Sequence, residues 1–284
     1  MQEPLVHRFF EFMIERHNIY LKSKIKKLPK PWTTDQILRQ YKFCNVYREL
    51  DTVTIWSRIN IRNKLQSDPY LWFALCVLRR LNWPDTMEDL GELIINWNPD
   101  KAVEILNSRK HNKSKIYNGA YMLTTGGRSV PKNEDTCYNI LTPLWEKRYK
   151  ITNDLVNCTS LEGAFNLFAK GHVGFSDFLA YEVVTDLRHT HFLQRATDKL
   201  TWANAGPGAI RGLNRLTGRK ITSKLKSLQT CKEMQYLLGE SQLYLPDTMP
   251  DLEMREIEHT LCEFDKYERI KTDKSFLRIK YAGV

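Results

Sequence analysis

The segment Asn45-Val-Tyr-Arg-Glu-Leu-Asp51 gathers two carboxylates, a guanidinium and an amide, groups that acid–base chemistry or the stabilisation of a developing charge could use. At helical spacing Arg48 shares a face with Asp51, and Asn45 with Glu49. Asp51 and Glu49 are therefore candidate catalytic acids, with Asn45 and Arg48 as candidate pocket residues; a buried Arg–carboxylate pair that fixes packing accounts for the same pattern. His259 and Glu263 stand four apart and could face inward together, as a site or as a structural pair. His189 and His191 are two apart, a ligand pair only with a third ligand elsewhere, and read as surface histidines. Cysteines at 44, 76, 137, 158, 231 and 262 form no Cys-x-x-Cys pair and have no zinc-type spacing to histidine. No metal and no cofactor is expected, and the thiols read as buried and reduced.

Two further segments could hold anions or bases. In Gly206-Pro-Gly-Ala-Ile-Arg-Gly-Leu213, Pro207 suits a first helical turn, Gly206 and Gly208 allow close backbone approach, and Arg211 lies behind them. The segment lacks the Gly-Lys-Ser/Thr ending of a phosphate loop, so kinase chemistry is not encoded in it. The stretch from Asn118 to Asn133 is the longest without helical periodicity. There Tyr121, Gly126-Gly127, Arg128 and Lys132 combine a stacking surface, mobility and charge, as base extrusion needs, although a plain surface connection has the same composition.

Helices must position these groups. Apolar periodicity predicts helices over Leu5–Tyr20, Gln36–Tyr41 behind an Asp35 cap, and from about Asn45. Tyr70–Leu81 is apolar almost all round and reads as a central buried helix closed by Arg79-Arg80. Asp85–Asn96, Asp100–Ser108, Thr136–Lys150, Leu225–Leu238 and Asp251–Arg269 follow, the last with most of its charges expected to face solvent. Lys22 to Pro31 carries five lysines and two prolines, a solvated loop or a phosphate-contacting strap. No internal repeat and no multi-strand alternation interrupts this all-α reading.

From Leu161 to Leu187 the pattern is helix, tight turn, helix: an apolar stripe at Leu161, Ala164, Phe165, Leu167 and Phe168, a break from Lys170 to Gly174, and a stripe resuming at Phe178. Such a hairpin presents backbone N–H groups to phosphate without reading sequence. With Gly174-Phe175-Ser176 as its turn and Ala180 at the small position, it resembles the helix-hairpin-helix DNA glycosylases, with Ser176 standing where that family has a second glycine. Phe43–Asp51, Gly174–Leu187, Trp202–Leu213 and Ile257–Tyr267 more specifically resemble the glycosylase-related phage and bacterial proteins of thymine hypermodification. That group comprises α-glutamyl/putrescinyl-thymine pyrophosphorylases, amino acid:DNA transferases and the helical domain joined to hydroxymethyluracil DNA kinases.

The resemblance implies a helix-hairpin-helix glycosylase-like fold, one domain over residues 1–284 with lobes of about 1–150 and about 151–284 around a DNA cleft. It implies a catalytic acid about two dozen residues after the hairpin or slightly fewer, which points to Asp198 first; Asp186, on the helix that leaves the hairpin, is second, and Asp51, in the Arg-Glu-Leu-Asp motif, is third. Lys170, Gly171, Gly174, Ser176, Gly206, Gly208, Arg211, Arg128 and Lys220 are the expected nucleic-acid contacts. Asn45, Arg48, Tyr121, Trp202 and Asn204 are the expected base pocket.

At 284 residues, 42% hydrophobic and 27% charged, the chain can bury a substantial core. A net charge of +10 fits a polyanionic partner. No uncharged window reaches the length of a membrane span and no secretory pattern opens the chain, so a cytoplasmic monomer is expected, acting on duplex DNA with modified bases. The expected activity is a glycosylase that excises a bulky modified pyrimidine. The alternatives are a transferase that substitutes an amino acid or amine at activated 5-hydroxymethyluracil, and a non-catalytic DNA-binding module.

Overall fold

A computed structural model describes residues 1–119, 128–170 and 175–273. The fold is all-α. Its helices are α1 (Glu3–Tyr20), α2 (Gln36–Gln40), α3 (Thr52–Ser57), α4 (Leu71–Leu81), α5 (Pro84–Leu90), α6 (Pro99–His111), α7 (Lys132–Glu134), α8 (Thr142–Glu146), α9 (Arg148–Val156), α10 (Leu161–Ala169), α11 (Asp177–Leu187), α12 (Pro207–Thr217), α13 (Ser227–Tyr244) and α14 (Met254–Asp273). Local chemistry marks many of their ends. Side chains of Asp35, Asn98, Ser160 and Ser176 cap α2, α6, α10 and α11, and prolines open α5, α6 and α12.

The chain divides into two compact units, one of Met1–Asp51 with the chain from Lys199 onward, the other of Thr52–Asp198. The divisions fall at residues 51 and 198, not near residue 150. The N-terminal arm joins the C-terminal helices because α1 buries Phe9, Phe10, Phe12 and Met13 among them. Phe9 meets Phe264 edge-on at 5.5 Å, Phe10 stacks on Tyr244 at 4.7 Å, and the Gln2 N–H donates to the Leu216 carbonyl at 2.7 Å.

In the Thr52–Asp198 unit, α4 is buried along its whole length, as its unbroken apolar run requires. Phe73 packs against Trp97 and Trp145, Trp72 against Phe168, and α11 lies along α4 and α10. The helix ends at Asn82, whose φ of 51° is left-handed.

Two expectations need correction. No long helix starts at Asn45. Its side-chain amide donates to the Leu50 carbonyl at 2.9 Å and Asp51 accepts the Asn45 N–H at 3.1 Å, so side-chain bonds compete with helical ones and only a tight turn forms over Arg48–Leu50. Nor do most of the α14 charges face solvent: Glu258, Asp265 and Glu268 are buried.

Candidate functional site

Three of the four sequence blocks that carry the resemblance meet in the first unit. Gly208 and Gly212 on α12 face α14 so closely that a methyl at Gly208 would lie 2.3 Å from Cys262 Sγ, and one at Gly212 2.5 Å from the Leu261 carbonyl oxygen. The glycines of this segment therefore serve helix packing. Asp265, 0% exposed, receives Arg211 at 2.8 Å, Arg215 at 2.9 Å and Arg269 at 3.3 Å, a buried charge offset by three guanidinium groups. At the start of α12 the Gly206 N–H donates to Glu258 Oε1 at 3.2 Å. An internal carboxylate thus lies beside the start of α12, on the N–H of its cap residue.

Carboxylates of α14 also fix the motif loop. Glu263 Oε2 accepts the Cys44 N–H at 2.9 Å and faces Lys266 Nζ at 3.3 Å. Within the loop Arg48 pairs with Asp51, and Asp51 Oδ1 also accepts the Asn45 amide at 2.9 Å. From α1, Arg16 donates to Asn45 Oδ1 at 2.8 Å and to the Phe43 carbonyl at 3.1 Å. Its other terminal nitrogen is buried with no hydrogen-bond partner among the described residues. Burial pushes the Cys44 and Cys262 thiols up to about 12, with Glu263 adding to the first and Glu258 and Glu263 to the second. Neither thiol is a nucleophile near neutral pH.

Glu256, in the first turn of α14, differs from these neighbours. Burial pushes its carboxyl up to about 7, despite a hydrogen bond from the Glu253 N–H at 3.0 Å and the nearby charge of Arg255. It acts electrostatically on Tyr47 of the motif loop, whose hydroxyl donates to the Pro250 carbonyl at 2.5 Å and is itself pushed up, by burial first and then by Glu256 and Asp251. A largely buried carboxyl that titrates near neutrality can exchange a proton with a bound reactant. Glu256 and Glu258 were not legible as site residues, because acids near a helix start are ordinary dipole-favoured residues.

The acids expected from hairpin spacing lie in the other unit and are engaged. Asp186, 1% exposed, forms a two-pronged pair with Arg79 at 2.6 Å on both oxygens, and Arg79 also meets Glu182 at 3.3 Å. Asp198 accepts the N–H groups of Leu161 at 2.7 Å and Glu162 at 3.0 Å, capping α10 from a distant turn. Ser176 caps α11 through Leu179 N at 3.4 Å, Lys170 closes α10, and Arg128 pairs with Asp135 at 2.5 Å. In the first unit Lys220 is exposed, Trp202 is buried, and Asn204 and Glu49 are partly exposed. Tyr121, Gly171 and Gly174 lie outside the described residues. Among the described residues no group of His, Cys, Asp or Glu could hold a metal ion, and no helix is long and apolar enough to cross a membrane.

The family profile described as "5-hmdU DNA kinase, helical domain" matches residues 3–275. A curated relative, a 5-hmdU DNA kinase of Bacillus phage SP10, is 24% identical over 293 aligned positions, covering 93% of this chain. The chain spans 45% of that relative's length. No solved structure matches the chain. These similarities overturn base excision as the activity, since the relative is named for modifying a DNA base rather than removing it. In the structure the charges of Asp186 and Asp198 serve Arg79 and the α10 terminus. Over nearly its whole length, the chain belongs to the family of the 5-hmdU DNA kinase helical domain.

Proposed function

We propose that the chain acts on duplex DNA carrying an activated 5-hydroxymethyluracil and catalyses substitution at its 5-methylene group by an amine or amino acid, as a cytoplasmic monomer. In this reaction the amine nitrogen bonds to the methylene carbon, the carbon–oxygen bond to the diphosphate breaks, and the diphosphate leaves with the electron pair. The amine's proton goes to Glu256. The observation that carries the reading is the similarity to a DNA-base-modifying family over residues 3–275, and Glu256, which acts on Tyr47 of the Asn45–Asp51 loop and whose carboxyl burial pushes up to about 7, is the group suited to take the proton. A net charge of +10 favours the polyanionic substrate, and reaching the methylene group requires the base to leave the stack. ATP-dependent phosphorylation is not assigned to this chain, since its Gly206–Gly212 segment lacks a phosphate-loop ending and serves packing.

A second reading is favoured by the 45% coverage of the phage kinase: a non-catalytic helical module that presents modified DNA to a separate kinase. One experiment separates the two. The protein is incubated with duplex DNA containing diphosphate-activated 5-hydroxymethyluracil and an amine, and nucleosides are analysed by mass spectrometry. An amine-substituted thymidine that Glu256→Gln abolishes supports the first reading. Unchanged nucleosides with tighter binding to 5-hydroxymethyluracil DNA than to thymine DNA support the second. No product and no binding preference reject both.

A further inference from the structure

Arg79 and Arg80 are consecutive, both buried, and differently served. Arg79 has Asp186, Glu182 and Thr54 around its guanidinium. Arg80, 1% exposed, has Thr136 Oγ1 at 3.4 Å from Nε and Asp135 Oδ2 at 4.0 Å from NH2, beyond hydrogen-bond reach. Among the described residues that NH2 has no hydrogen-bond partner. Asp135 cannot serve it better, because Oδ1 already accepts Arg128 at 2.5 Å and Asn139 at 3.0 Å, and Oδ2 accepts Arg128 at 3.2 Å. A second cation stands close by: the Lys132 ammonium sits 4.0 Å above the Tyr117 ring. Burial, and after it the charge of Arg80, holds Lys132 below its ordinary value. Burial likewise depresses the Arg80 guanidinium.

A buried guanidinium without full hydrogen bonding is costly, and two cations that repel one another add to the cost. Arg128 neutralises Asp135, so Arg80 and Lys132 leave two positive charges uncompensated. We infer that Arg80, Lys132 and Tyr117 form a binding site for a doubly charged phosphoryl group. A single carboxylate would neutralise half of the charge, whereas a phosphate dianion neutralises both and offers several acceptor oxygens to the guanidinium. Lys132 and, beside the site, Arg128 are partly exposed. The site is independent of the chemistry assigned to Glu256, and its test reads binding rather than turnover.

The full chain is titrated calorimetrically with inorganic pyrophosphate and, separately, with a short unmodified DNA duplex, and each titration is repeated by thermal shift. The variants are Arg80→Met and Lys132→Met, with exposed Lys101→Met as a control. The expected result is saturable one-to-one binding in at least one arm, weakened at least about ten-fold by Arg80→Met and by Lys132→Met and unchanged by Lys101→Met, as loss of a charge-assisted contact requires. Binding of pyrophosphate identifies a free phosphorylated ligand, and loss confined to the duplex arm identifies a DNA phosphate. Absence of saturable binding in both arms, or equal affinity of the parent and Lys132→Met, overturns the site even if Arg80→Met does not fold.

Discussion

Asp186 in one unit and Glu256 in the other are both carboxylates on helices and withdrawn from water, yet their surroundings give them opposite characters. Asp186 lies against a guanidinium that meets both of its oxygens, with Glu182 sharing the same arginine. Its charge belongs to the packing of α4 against α11. Glu256 has the backbone N–H groups of Glu253 and of its own residue and the neighbouring Arg255 charge to hold its anion, and burial, with the Glu253 charge beside it, outweighs them. Pairing turns a buried acid into a structural element, and incomplete pairing leaves it able to change protonation.

The contrast breaks most visibly at Asp186. Asp186→Asn leaves Arg79 buried with a partner removed and should cost about 3–5 kcal/mol of unfolding free energy, read by urea denaturation. If the variant unfolds like the parent while product formation collapses, Asp186 belongs to the reaction instead. Glu256→Gln is the complementary test. Substitution activity should fall at least about 100-fold, the usual scale for a lost general base, with DNA affinity retained. The parent's rate should rise with pH through about 7, the value to which burial raises Glu256, and this limb should vanish in the variant.

Stability should respond with the opposite sign. The folded Glu256 value of about 7 lies above its ordinary 4.5, so its favourable contribution is full below the lower value and is lost as pH rises through the higher. The parent should lose on the order of 3 kcal/mol from this source between pH 4 and pH 8, from the rise of that value from 4.5 to about 7. Melting curves of parent and Glu256→Gln at the two pH values should converge or cross in favour of the variant at pH 8. Parallel curves would mean that Glu256 is compensated like Asp186.

Smaller effects sharpen the same distinction between filled and open surroundings. Gly212→Ala forces a methyl against the Leu261 backbone and should cost about 1–3 kcal/mol. Gly239→Ala meets nothing within 4 Å on α13 and should instead stabilise by about 0.5–1 kcal/mol. Asp198→Ala removes the distant cap of α10 and should cost about 1 kcal/mol without altering product formation. Thermal unfolding of the three variants side by side measures all of these, and a catalytic loss in Asp198→Ala larger than its stability loss would return that residue to the reaction.

Much of the fold was readable locally. The all-round apolar run of α4, the cap at Asp35 and the proline at the first turn of α12 act over one or two helical turns, and the structure bears them out. The Arg48–Asp51 pair was also legible from its three-residue spacing, although it closes a tight turn rather than lining a helix. Motif similarity placed the chain in its family. Which carboxylates are filled was not readable, because their partners lie far along the chain. Arg79 meets Asp186 across 107 residues, Arg211 meets Asp265 across 54, and Gly206 meets Glu258 across 52. Residue types and spacings supplied the charges and the helices that carry them. Tertiary packing alone decided which charges are neutralised, because burial and long-range pairing set whether an acid is a strut or a group that can exchange a proton.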